Sequence, residues 1–468
     1  MFLLTVYCAS ASQKNKRKEI TDMEKLALFG GEPIVKEAAP KELFKWPIVT
    51  EEDLEAAKDV IVNNRFSGTD ITAKFQDEFA EWQGRKYALA FTNGTMSLTA
   101  AMFAIGLGEG DEIICPTKTY WASVSQAMWF GASAVFCNID DMLSMDPDDL
   151  ERCITPKTKA IMVVHYFGYP CDMDRIMEIA NKHNLYVIED VSHAHGSVYK
   201  GKKVGNFGHI AAMSMMSGKL FAAGELGMLV TDDKKLYERA LAFGHYERNN
   251  EKFITECDDL KEYYHIALGG VKGRANQLCC ALARGQLRHF DERCVEIRKA
   301  MNYFYDQLEA MPGLKPLRTD GSDGSYVAGF YSPTVAYFPV ELSGLSARRF
   351  AEAVTAEFGG AFRCRAGGNF CLHTHGYFKT FDPRHKGVPG RIAYSDRDVR
   401  EDDKFLTPSE EKYCISAPWF KHFDKEWIDL YASAYRKVVE NHKVLLDGDL
   451  DKTQDGIWYG AEARHEKK

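Results

Sequence analysis

Between Tyr87 and Thr231, short and almost continuously apolar runs alternate with stretches of helical spacing, and this alternation limits the fold more than any other feature of the chain. The runs lie at 87–91, 112–115, 134–138, 160–165 and 185–188, with two more at 210–216 and 227–231. Strands apolar on both faces must be covered on both faces, and helical connections make their neighbours parallel. The predicted fold class is therefore α/β, with a mostly parallel sheet in a large domain. In open sheets of this kind ligands bind beyond the carboxyl ends of the strands, so the loops after these runs are where chemistry is expected.

The flanking segments extend the pattern. Thr50 with Asp53 three positions later predicts a capped helix over 51–63, and Phe75, Phe79 and Trp82 recur at helical spacing as a core-facing stripe. A long helix over 276–311 joins the large domain to a smaller one, with the boundary near residue 300, giving expected domains of 23–300 and 301–468. Beyond Pro312, a strand at 334–339 and helices at 347–358 and 426–446 predict an α+β layer. The segment 379–412 is rich in charge, Gly and Pro; it reads as a solvated loop, with an active-site flap as the sharper alternative. Residues 1–22 do not fit the remainder of the chain: a short apolar run precedes a basic one, the reverse of a secretory leader, so they are expected to be a disordered extension or to precede a true start at Met23.

Several classes of function fall away on composition. With 468 residues, 45% hydrophobic side chains and a net charge of −8, the chain has ample core material and no basic tract of the kind that binds nucleic acid. No apolar run is long enough to span a bilayer. Twelve cysteines without a CxxC pair point to a reducing cytoplasm. His193 with His195, and His373 with His375, form HxH pairs, but neither has further ligands at diagnostic spacing, so no metal is expected.

The residues that carry chemistry come after three of the strands. Lys219, in the run Ser217-Gly218-Lys219, lies about thirty residues after a strand that ends in Glu189-Asp190. A buried amine can bind an aldehyde covalently, and a carboxylate can keep a pyridine nitrogen protonated; the pair predicts pyridoxal 5'-phosphate as cofactor. Asn93-Gly94-Thr95 lies between the first strand and a helix, where free backbone amides cradle phosphate. Tyr120 ends another strand and is the first choice to lie over the ring, with packing as the alternative for both Tyr120 and Trp121. Ser214 shares a strand face with Met216 and is a further phosphate candidate. His193 stands three residues past Asp190, placed to bond the phenolic oxygen of the cofactor, while His195 is expected to support the loop.

With these residues in order, the chain from about Leu26 onward resembles the DegT/DnrJ/EryC1/StrS family of sugar aminotransferases, enzymes of pyridoxal-phosphate fold type I. The matching segments include Leu28-Phe29-Gly30-Gly31-Glu32-Pro33, Asn93-Gly94-Thr95, Asp190-Val191-Ser192-His193-Ala194-His195-Gly196, Ser217-Gly218-Lys219 and Ala223-Gly224-Glu225. The resemblance implies a large domain with a seven-stranded type of sheet and a smaller carboxyl-terminal domain. It implies Lys219 as the covalent lysine, Asp190 as partner of the ring nitrogen, and Gly94, Thr95 and Ser214 as phosphate contacts. It also implies a homodimer in which a loop of the neighbouring subunit completes the phosphate site, with Lys272 standing where an asparagine is common. The implied activity is transamination of a keto sugar, often nucleotide-linked, or of a ketocyclitol, with glutamate or glutamine as donor. His193 replaces a frequent glutamine, as in the branch containing 3-amino-5-hydroxybenzoate synthases, and Leu226 replaces a usual glycine. A dehydrating or aromatising enzyme on the same cofactor therefore stays open as an alternative, as does a ligand-sensing protein without turnover; the retained Lys219 argues against the dehydratase branch in which histidine replaces it, and the intact Lys219–Asp190 pair against loss of turnover.

Overall fold

The computed structural model describes residues 25–319, 321–379, 391, 396–406 and 414–449, so the expected extension at 1–22 and the start at Met23 lie outside the described residues, as does much of 379–412. The apolar runs form β1 (Tyr87–Phe91), β2 (Glu112–Pro116), β3 (Ser133–Cys137), β4 (Thr158–Val164) and β5 (Tyr186–Asp190). A small hairpin of β6 (Val198–Tyr199) and β7 (Lys202–Lys203) precedes β8 (Ile210–Ser214) and β9 (Gly227–Thr231). Seven of these strands make one sheet in the order β1-β9-β8-β5-β4-β2-β3. From β8 to β3 all neighbours are parallel, and β2 and β3 are buried at every residue, as two covered faces require. β9 alone is reversed and pairs antiparallel with both β1 and β8. The reversal has a local cause: the link from β8 to β9 contains turns and no helix, too little chain for a crossover back to a parallel start.

The helices form where the spacing predicts them. Thr50 and Asp53 close a reciprocal capping box on the helix Glu51–Val62, with Asp53 N donating to Thr50 Oγ1 at 3.2 Å and Thr50 N donating to Asp53 Oδ2 at 2.9 Å. In the helix Asp70–Gln83, Phe75 and Phe79 are fully buried. Their rings lie 6.4 and 5.9 Å from that of Phe221, two residues past Lys219, so the aromatic stripe packs under the β8–β9 link.

Past residue 300 the helix Gln277–Glu309 continues unbroken, its start capped by Asn276 Oδ1, and reaches a second sheet. That sheet is antiparallel, β10 (Leu314–Pro316), β11 (Thr334–Tyr337) and β12 (Cys414–Ser416) in that order, packed with the helices Ala347–Glu357 and Lys425–Glu440. This is the α+β layer expected from the carboxyl-terminal pattern.

The described residues of 379–412 depart from the solvated loop expected of the segment. Arg391 is completely buried and donates Nε to Ala134 O at 2.8 Å, while its other nitrogens reach both Asp403 carboxylate oxygens at 2.8 Å. Its guanidinium lies 4.4 Å from the Phe136 ring centroid, and Arg397 donates to both oxygens of Glu112 at 2.9 Å. β3 is an edge strand whose outer backbone needs partners, and Arg391, one of the charged residues that suggested a solvated loop, supplies one. Replacing Arg391 with alanine leaves Asp403 without its partner and is expected to cost about 3–5 kcal/mol of stability, the scale for breaking a buried ion pair. Urea unfolding followed by circular dichroism measures this, and an unchanged midpoint would show that the segment does not secure the edge.

Candidate active site

At the carboxyl ends of β1, β2, β5 and β8 lies a cavity of about 900 Å³. Gly94, Thr95, Tyr120 and Asp190 line it, and so do His193, Ser214 and Lys219. Of the candidates read from the sequence, only Lys272 is elsewhere: it is exposed, with Nζ 5.6 Å from the Tyr246 ring, outside the cavity of its own chain.

β5 ends in two carboxylates that strand alternation turns to opposite sides. Asp190, 5% exposed, faces the cavity; Ser123 Oγ donates to its Oδ2 at 2.8 Å and Ser192 N to its Oδ1 at 3.0 Å. Glu189 faces the interior and accepts from the amides of Gly205, Phe207 and Gly208 at 2.6 to 2.8 Å, and it pairs with His165 Nε2 at 3.0 Å. Burial alone would lower the His165 pKa, but Cys171 and Glu189 outweigh it and raise it to about 10. His165 N also donates to Asp190 O at 3.3 Å, so the pair behind the strand fixes the backbone of the residue in front.

The helix Gly94–Ala104 begins over this strand end, with Asn93 Oδ1 accepting from Met96 N at 2.9 Å. The amides of Gly94 and Thr95 have no acceptor among the described residues and lie at the positive end of the helix. Gly94 is demanded by close approach: a methyl group on its α-carbon would stand 2.5 Å from Ser214 Cβ. Helix start and β8 end therefore touch, which brings the Ser214 hydroxyl to the two free amides' side of the cavity. Ser214 N in turn donates to Ser192 Oγ at 3.0 Å, tying the Asp190 loop to the same corner.

Lys219 is half-buried on the return from β8 to β9, with Nζ 4.6 Å from the centroid of the Tyr331 ring. Its backbone carbonyl accepts from Trp46 Nε1 at 2.9 Å, and Lys219 N donates to Met216 O at 2.8 Å. Burial pushes its pKa down to about 8, partly offset by the charge of Asp190. Leu226, in place of a small residue, is fully buried and lies outside the cavity lining, where its carbonyl accepts from Met215 N at 2.8 Å.

His193 Nδ1 accepts from Phe167 N at 3.2 Å, which leaves the proton on Nε2. Burial, with Lys219 and His195 adding to it, holds this imidazole well below its ordinary pKa, so it is a neutral donor. Phe167 is held at φ +53 in the left-handed region, strain on the order of 1–3 kcal/mol that sets its ring against the cavity. His195 is fully buried 5.9 Å from the Phe221 ring; burial first and Lys219 second lower it to about 3, and it packs beneath the lysine link. Tyr120 lines the cavity while Trp121, 5.0 Å from it, points outward.

Sequence reasoning missed Ser123, Ser192, Tyr331 and Trp46. The two serines sit in stretches already singled out, as short donors beside a carboxylate. Tyr331 comes from just before β11 of the second sheet, and nothing in its local sequence marks it. Among the described residues one group has metal-ligand proximity, Cys137, Asp149 and Cys153, and it includes neither HxH pair. Asp149 there is held by Arg152 at 2.6 and 2.8 Å, and burial raises the Cys137 thiol, an arrangement already satisfied without an ion. His373 instead meets Thr117 Oγ1 through Nδ1 at 2.6 Å.

A model of the DegT/DnrJ/EryC1/StrS aminotransferase family matches residues 47–343. A GDP-perosamine synthase of Escherichia coli O157:H7 is 39% identical over 239 residues, covering 51% of this chain and 63% of that protein. An L-glutamine:2-deoxy-scyllo-inosose aminotransferase of Streptomyces kanamyceticus is 31% identical over 346 residues, covering 72% and 79%. Among solved structures, an aminotransferase from Psychrobacter cryohalolentis superposes with a TM-score of 0.69 at 27% identity, over 87% of this chain and all of that one. No helix among the described residues is long and apolar enough to cross a membrane.

The lowered pKa of Lys219 is directly testable. Because burial disfavours the charged amine, the reactive neutral form gains ground as pH rises through about 8, below the ordinary 10.5. Acylation of the cofactor-free protein across a pH series, with peptide mapping by mass spectrometry, is expected to give a Lys219 midpoint near 8 and higher midpoints for surface lysines; a Lys219 midpoint near 10.5 contradicts the buried amine.

Proposed function

The chain belongs to the DegT/DnrJ/EryC1/StrS aminotransferase family, and from that premise we propose that it binds pyridoxal phosphate and moves an amino group from glutamate or glutamine to the carbonyl of a keto sugar or ketocyclitol. The observation that carries this reading is the meeting of the Lys219 amine and the Asp190 carboxylate in one cavity with two free amides at a helix start. The relatives support the acceptor class, since one makes GDP-perosamine and another is an L-glutamine-dependent aminotransferase of a scyllo-inosose.

The residues present fit this cofactor. The amides of Gly94 and Thr95 and the Ser214 hydroxyl would hold its phosphate, Asp190 its protonated ring nitrogen, His193 Nε2–H its phenolic oxygen, and Tyr120 a face of its ring. Lys219 would hold it covalently. When bound, pyridoxal phosphate supplies an aldehyde that captures amines and a ring that draws electrons from the bond being broken. The chain's own part is proton transfer and orientation. Lys219 Nζ would take the proton from the donor carbon and deliver it to the carbon on the other side of the nitrogen, a task suited to an amine whose pKa is lowered to about 8. Ser123 and Ser192 keep the Asp190 carboxylate from turning, and the Tyr331 ring shields Nζ from water. Donor and acceptor occupy the same cavity in turn, so the kinetics are ping-pong.

Lys272 lies outside its own cavity, and we assign it to the phosphate in a second copy of the chain, acting as a point charge. This makes a homodimer the proposed working assembly, and the unpaired cysteines among the described residues support the cytoplasm as its proposed compartment.

Mixing the holoenzyme with L-glutamate or L-glutamine is expected to shift its visible absorbance, and a mass-spectrometric screen of keto sugars and ketocyclitols then finds the acceptor that gains nitrogen. Lys219→Ala should abolish the shift, and Asp190→Asn should slow it by about 10²-fold or more, the scale of a positioned acid–base group. No shift with either donor rejects transamination. Loss of water without gain of nitrogen would make the protein a dehydratase.

A further inference from the structure

Just past β2, Thr119 and Tyr120 line the cavity, whereas Lys118 is outside the lining and 1% exposed. A lysine so withdrawn from water ordinarily lies against a carboxylate, because an unpaired buried cation is costly. Among the described residues Lys118 makes no ion pair and no hydrogen bond.

A buried phenol lies beside it. Tyr166, just past β4, is equally buried, and apart from the Asn369 backbone its hydroxyl meets no hydrogen-bond partner among the described residues. Burial raises its pKa, with the Asn369 backbone offsetting only part of the rise, so the phenol stays a neutral donor. Gly368 connects the two: a methyl group on its α-carbon would stand 3.6 Å from Tyr166 Oη and 3.7 Å from Lys118 Cε, with Phe167 Cζ at 3.5 Å. Gly368 itself lines the cavity together with Gly367 and Asn369. A residue without a side chain, beside the Phe167 ring, thus stands between the main cavity and both side chains. The partition is held in place from below, since Leu372 N donates to Thr117 O at 2.6 Å and His373 meets the Thr117 hydroxyl.

We propose that Lys118 and Tyr166 form an anion subsite opening beside Gly368, which receives a carboxylate or phosphate oxygen of a substrate held in the main cavity. One anionic oxygen satisfies both groups, accepting a charge-assisted bond from the lysine and a neutral one from the phenol. A bare glycine at 368 leaves the space through which that oxygen reaches them. This deepens the transamination reading and rests on it: one of the two substrates presents an acid group toward the second domain. The acid belongs either to the side chain of the amino donor or to an anionic substituent of the acceptor, and the two sources are separable.

The test uses the holoenzyme and two probes. The apparent Kd of L-glutamate is read from the absorbance change of the donor half-reaction, and that of inorganic phosphate from calorimetric titration. Lys118→Met is expected to weaken at least one of them by about tenfold or more, with the effect in Kd and not in the limiting rate, and Lys118→Arg to restore most of it. Tyr166→Phe is expected to weaken the same probe by about threefold or more. Weakened glutamate alone assigns the subsite to the donor, and weakened phosphate with unchanged glutamate assigns it to the acceptor. If both constants are unchanged in Lys118→Met that retains its cofactor absorbance, the subsite does not exist. Should Lys118→Met fail to fold, Gly368→Ala decides, because its methyl group fills the opening at ordinary contact distance: lost affinity supports the subsite and unchanged affinity overturns it. A wild-type protein with no donor half-reaction defeats the transamination reading instead, while the phosphate titration still reports on Lys118.

Discussion

Two neighbouring carboxylates at the end of β5 point to opposite sides of the sheet, and the rest of the site depends on that opposition. Glu189 is sealed behind the strand by His165 and three backbone amides; Asp190 is presented in front and held by Ser123 and Ser192. Buried ion pairs contribute modest net stability, since desolvation offsets much of their attraction. What the rear pair contributes here is position, because His165 is bonded both to Glu189 and to the backbone of Asp190. A carboxylate that must face one atom of a flat ring is better set by a rigid backbone than by its own two torsions.

The amine opposite is set by different means. Its link is short, has no regular structure and must reverse the chain, so it could not hold a side chain in place alone. Phe221 anchors it from inside, with Phe290 5.1 Å away and the Phe75 and Phe79 rings around it, and Trp46 holds its carbonyl from outside. The same packing that excludes water from the link brings the Lys219 pKa down to about 8. Rigidity and reactivity thus come from one cause, the aromatic stripe that the spacing of Phe75 and Phe79 marks as simple core.

How much of this was legible in the sequence depends on how local each signal is. The capping pair at Thr50 and Asp53, the apolar strands and the Asn93-Gly94 start of a helix are written within a few residues and form as expected. The reversal of β9 depends on the absence of a helix in a short link, which apolar patterning does not report. Tyr331 is more than a hundred residues from Lys219, and only the packing of the segment before β11 against the β8–β9 link brings it to the amine. Arg391 was hidden for the opposite reason: charge normally marks solvent, yet an edge strand offers unpaired carbonyls that a guanidinium satisfies as water would.

The helix Gln277–Glu309 runs from beside the first sheet to β10 of the second without a break. One continuous rod is thus shared by both layers, and a change in its packing at one end is carried to the other.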